Sequence, residues 1–129
     1  MRLLKNKNGQ SLVEFAIIFP LILLVVMAIA EFGMIFNAYL TINNAAREGA
    51  RAGIVGTSDV EIQNLVLAAS PNLESQNLTI IITPNETSRT SGETLTVTLN
   101  YTYHTIVPII SGIIDDTVVL NAQTSMRIE

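Results

Sequence analysis

Gly9-Gln10-Ser11-Leu12-Val13-Glu14-Phe15 joins two unlike stretches of chain. Before it lies the polar segment Met1 to Gly9, with Arg2, Lys5 and Lys7 and no acid; behind it, every residue from Phe15 to Ala30 is apolar. Sixteen residues of helix reach only about 24 Å, short of a hydrocarbon core of about 30 Å. Continuing past Glu31 through Phe32, Met34, Ile35 and Phe36 brings the helix to about 33 Å. The segment 10–36 is therefore expected to be a transmembrane helix, preceded by a basic leader at 1–9 and followed by a domain at 37–129.

Towards the N-terminus, the junction differs from a general secretory signal, whose cleavage site follows the apolar stretch behind small residues. The processing point expected here precedes that stretch, between Gly9 and Gln10, so the apolar helix survives maturation. This is the layout of a prepilin-type signal. Cleavage would leave a free amine at Gln10 with Glu14 one helical turn away, able to pair with that amine or a neighbouring subunit's. Partial neutralisation would ease both charges into a low-dielectric bundle.

Charge sets the expected orientation. From Asn37 to Glu129 there are four arginines against nine acids, a net of minus five. Lys and Arg flanking a span favour the cytoplasmic side, which puts the N-terminus in the cytoplasm and the acidic domain outside; Arg47 and Arg51 pull weakly the other way. An acidic domain also argues against nucleic acid, whose phosphates require a basic face.

Towards the C-terminus the apolar pattern turns amphipathic without a break. Ala38, Ile42, Ala45, Ala46, Gly49 and Gly53 recur at steps of three or four, so one helix is expected from about Gln10 to about Val55. Ala45, Gly49 and Gly53 form a small-residue face that admits a close neighbour, read first as an intramolecular seat for a sheet and second as a contact between subunits. Gly56 ends the helix. Ser58-Asp59-Val60-Glu61 reads as a capping box opening a second helix through about Ala69, stopped by Ser70-Pro71. Three strands follow: Asn77 to Thr83, Thr94 to His104 and Val118 to Glu129. The middle one alternates Leu95, Val97, Leu99, Tyr101 and Tyr103 with threonines and Asn100. The expected class is α+β, with a long membrane-spanning helix continuing into a small domain that holds a short helix and a three-stranded antiparallel sheet.

Few residues suggest chemistry. The chain has no cysteine, which excludes disulfides and thiolate sites, and its single histidine, His104, falls on the polar side of a strand. Asp115-Asp116 lacks the ligand spacing of a calcium loop, and neither nucleophile motifs nor phosphate-cradling glycine loops occur. No enzymatic activity, cofactor or metal is expected. Two residues in the apolar helix stand out. Pro20 is expected to kink or melt it one turn earlier, and Glu31 is expected either to snorkel to the outer interface or to pair within a helical bundle. Thr105 to Asp116, with Ile106, Val107, Ile109, Ile110, Ile113 and Ile114 around Pro108 and Gly112, reads as a connection plugging the core, the alternative being an exposed docking patch.

Gly-Gln-Ser-Leu-Val-Glu-Phe-Ala at 9–16, Pro20, and Asn-Asn-Ala-Ala-Arg-Glu-Gly-Ala-Arg at 43–51 resemble the TadE-like proteins of tight-adherence (Flp, type IVc) pilus systems. The resemblance covers the first 55 residues and implies a pilin-like arrangement. It also implies maturation by a TadV-like prepilin peptidase, partnership with the Flp major pilin and other Tad components, and Glu14 as the processing and assembly glutamate. TadF- and TadG-type siblings share the N-terminal pattern, and the short length favours TadE. The rival from another class is an uncleaved, signal-anchored exterior binding domain.

Overall fold

The computed structural model describes residues 7–129, so the leader residues Met1 to Asn6, including Arg2 and Lys5, lie outside the described residues. Helix α1 runs Lys7–Ile54 as 48 continuous residues, about 72 Å of helix. It is long and apolar enough to cross a membrane. Pro20 sits inside it without interrupting it, so the expected local melting is not found. Proline removes one amide donor and crowds the carbonyl four residues back. The long helical ladder on either side carries the helix through the defect.

Gly56, at φ +89°, turns the chain out of α1 in a conformation that disfavours any Cβ. Helix α2 (Asp59–Ala68) begins at Ser58, whose Oγ accepts from the Glu61 amide at 3.3 Å. The Glu61 carboxylate takes the Ser58 hydroxyl at 3.2 Å rather than the Ser58 amide, so the box closes side chain to side chain. Strands β1 (Leu78–Thr83), β2 (Thr94–His104) and β3 (Thr117–Arg127) form an antiparallel meander in that order, with β2 central.

Register puts Leu78, Ile80 and Ile82 of β1 beside Tyr101, Leu99 and Val97 of β2, which in turn face Leu120, Ala122 and Thr124 of β3. This face closes on α1 and α2. Leu95, Val97 and Leu99 are fully buried together with Ile42, Ala45, Ala46 and Ala50 of α1 and Ile62 and Val66 of α2. The opposite face of β2 carries Thr96, Thr98 and Thr102. Small side chains set the spacing. A Cβ added at Gly49 would lie 2.9 Å from Val66 Cγ2, and one at Gly53 would lie 2.2 Å from Leu95 Cδ2. The face of Ala45, Gly49 and Gly53 thus seats both α2 and the sheet within one chain.

The packed stripe of α1 begins earlier than Asn37. Glu31, Ala38, Ile42, Ala45, Gly49 and Gly53 are all buried, with Ile35 half-buried between the first two, so the folded domain grips the helix from Glu31 onward. Ahead of Glu31 the side chains are exposed; from Gly9 to Ala30 only Leu24 and Ala28 are less so.

A 12-residue connection, Thr105 to Asp116, links β2 to β3 and holds a four-residue helix, α3 (Pro108–Ser111). The Thr105 amide donates to the Asp116 carbonyl at 3.0 Å and closes the loop at its base. Core plugging is not its role: only Ile110 is buried, while Ile106, Ile109, Ile113 and Ile114 are exposed. The sheet face is already filled by α1 and α2, so nothing remains for this segment to plug.

Candidate functional site

At the amino-terminal end, Gly9 and Gln10 lie within α1, not in a loop. Gly9 costs about 1 kcal/mol of helix propensity relative to Ala. Among the described residues no close packing explains it, since a Cβ there would meet none of their atoms within 4 Å; Gly33, also on α1, is equally open. Neither glycine is required by contacts with the described residues, in contrast to Gly49 and Gly53. Gln10 Nε2 donates to Glu14 Oε1 at 3.2 Å, one turn along the helix. The two residues that would supply the new amine and its carboxylate partner are therefore already on one face. Glu14 is exposed, and its described partner is this amide alone.

Beyond Glu14 the helix presents bare apolar side chains around most of its circumference, with Ile17 71% and Leu21 63% exposed. Such a surface needs either lipid or other helices around it. Phe15 and Phe19 stack at 5.3 Å on one side of it.

Glu31 finds its partners within its own chain. Its side chain is 1% exposed and is bonded within the chain: the Ile106 amide donates to its two oxygens at 3.1 and 3.3 Å, and the Val107 amide donates to Oε2 at 3.1 Å. Two backbone donors from the far side of the domain thus satisfy the carboxylate just where the unbroken apolar run ends. The nearby Tyr103 hydroxyl is buried and has no hydrogen-bond partner of acceptable geometry. Burial, and then the negative charge of Glu31, push the Tyr103 pKa up to about 12.

A second clasp ties the turn after α1 and the start of α2 to the connection between β1 and β2. Arg89 pairs with Asp59 and donates through Nη1 to the Thr57 carbonyl at 2.8 Å. The Glu86 and Asp59 amides are each accepted by the other's carboxylate, at 3.1 and 3.2 Å. Sequence reasoning found neither clasp. Glu31 and its amide partners are 75 and 76 residues apart, and no local pattern announces them.

His104 is exposed at the end of β2, on the rim of an open cleft of about 410 Å³ that Met34, Asn37, Tyr101 and Ile106 also line. Asp115 and Asp116 are exposed. Among the described residues no three His, Asp or Glu side chains gather closely enough to hold a metal ion.

Residues 9–51, a third of the chain, match the family model described as TadE-like protein. The match takes in Gly9, Gln10, Glu14, Pro20, Glu31, Ala45 and Gly49 and stops short of Gly53. No curated protein and no solved structure matches the chain significantly.

Proposed function

We propose, from the TadE-like character of residues 9–51, that this chain is a minor pseudopilin acting in assembly of a tight-adherence (Flp, type IVc) pilus. It is cut by a TadV-like prepilin peptidase between Gly9 and Gln10. It then stands in the bacterial cytoplasmic membrane with its N-terminus in the cytoplasm and its α+β domain outside, where it works with the Flp major pilin and other Tad components. It carries no catalytic activity of its own.

The observation that carries this reading is the coincidence of the family match with an open, largely exposed apolar helix, near whose start stands a glycine that no packing among the described residues requires. In this account Glu14 acts after cleavage, pairing with the Gln10 amine of its own or a neighbouring helix. The gain is register and choice of partner more than stability.

Complementation of a deletion strain tests it. Glu14→Gln keeps size and hydrogen bonding while removing the charge; it should insert normally, yet crosslink poorly to pilus components and lower piliation. Full crosslinking and piliation by the cleaved, inserted variant would remove the pairing role.

A further inference from the structure

The connection Thr105 to Asp116 is built in a way that the domain's core does not explain. Ile106 is 66% exposed, Ile109 53%, Ile113 77% and Ile114 43%, a costly display of branched aliphatic surface on so small a domain. No charged residue interrupts it until Asp115 and Asp116, which mark its return to the sheet.

Most of its backbone amides are paired as well. The Ile106 and Val107 amides donate to Glu31; the Ile110 and Ser111 amides donate to the Val107 carbonyl, and those of Ile113 and Ile114 to the Ile110 carbonyl, at 2.8–3.2 Å. A segment with apolar side chains outside and most of its amide donors paired inside costs less to set against a low-dielectric layer than an open loop would.

Glu31 fixes where that layer is. The apolar run of α1 ends at Ala30, and the next residue holds the loop by two amides. The loop is thereby pinned at the level where α1 leaves its apolar stretch. Leu24 and Ala28, the only two residues of the 9–30 segment that are less than exposed, lie at four- and three-residue steps ahead of Glu31 on the same face. Gln10 to Ala30 makes about 31 Å of helix, of which the unbroken apolar run from Phe15 supplies about 24 Å.

We propose that Ile106, Ile109, Ile113 and Ile114 form a second membrane contact, a wedge set among the acyl chains of the leaflet from which α1 emerges, with Glu31 as its tether. The occupant is lipid, because the patch is continuous with a helix that lipid already surrounds at that height. The wedge would fix the tilt and rotation of the domain about α1. The inference rests on α1 spanning the membrane.

The absence of cysteine makes a clean test possible. Single cysteines at Ile113, at Ile22 within the span and at Gln123 on the outer face of β3 are labelled with an environment-sensitive nitrobenzoxadiazole, in the full chain at one copy per phosphatidylcholine/phosphatidylglycerol nanodisc. The expected result is that the Ile113 probe is quenched by lipids spin-labelled high on the acyl chain and is several-fold less sensitive to iodide than the Gln123 probe. Glu31→Ala should abolish this while leaving the Ile22 probe lipid-quenched. An Ile113 probe as open to iodide as Gln123, with Ile22 still lipid-quenched, overturns the wedge and leaves the anchor standing. Iodide access at Ile22 overturns the anchor and the wedge with it. Protection of Ile113 that arises only at several copies per disc assigns the patch to a second copy and likewise refutes lipid contact.

Discussion

Replacing Glu31 tests the clasp between the membrane helix and the sheet domain. Glu31→Ala leaves the Ile106 and Val107 amides, now bonded at 3.1 Å each, without an acceptor. A buried donor stripped of its partner costs about 1–3 kcal/mol. Water reaching the exposed side of the loop offsets part of this, and deleting a buried carboxylate returns some desolvation energy, so the net loss should be about 2 kcal/mol. Glu31→Gln retains one carbonyl oxygen but turns an NH2 towards a donor, for a loss of about 1 kcal/mol. Urea unfolding of the full chain in detergent, followed by circular dichroism of the sheet, should rank the parent above Gln and Gln above Ala. Hydrogen exchange should quicken at Ile106 and Val107 by about 30-fold in the Ala variant, the equivalent of 2 kcal/mol in local opening. Unchanged exchange at these two amides would show that the carboxylate does not hold the loop, and would refute the reasoning.

Other expectations follow from the packing and the charges. Gly53→Ala forces the fully buried Leu95 to move, whereas Gly49→Ala presses Val66 less closely; with helix propensity favouring Ala at both, Gly53→Ala should be the less stable by about 1–2 kcal/mol in thermal unfolding. Arg89→Ala leaves the partly exposed Asp59 without its partner and should cost about 2–4 kcal/mol in chemical denaturation, and a loss under 0.5 kcal/mol would mean the pair is only decorative. Tyr103, raised from 10.0 to about 12 in the folded chain, contributes stability that is complete below pH 10 and lost as pH rises through 12. Tyrosinate absorbance should therefore show a late-titrating phenol that vanishes in Tyr103→Phe. Protease added to spheroplasts should digest residues 57 to 129, and full protection in verified right-side-out membranes would reverse the topology.

The elements with local signatures were legible in the sequence. The alternation from Thr94 to His104 marks β2 at both ends, Ser58 and Glu61 mark the start of α2, and the three- and four-residue steps from Ala38 to Gly53 mark the buried face of α1. Connections made across the chain were not legible. Glu31 looks like an isolated acid in an apolar helix until the fold brings two amides to it, and Arg89 stands in a turn-rich stretch with nothing nearby to announce Asp59. The isoleucines of the β2–β3 connection suggest burial by composition alone, and only a sheet face already covered by α1 and α2 shows why they remain outside. The missing donor at Pro20 does not melt α1, because a long cooperative helix continues on both sides of it.

The central claim stands or falls at Gly9. The most direct measurement is the intact mass and N-terminal sequence of the membrane-extracted chain from a host whose prepilin peptidase is active on its own pilin. The account predicts loss of Met1 to Gly9 and a mature chain beginning at Gln10, with Gly9→Val inserted but uncut. A parent chain that retains Met1 to Gly9 in that host would contradict it and leave an uncleaved, signal-anchored domain.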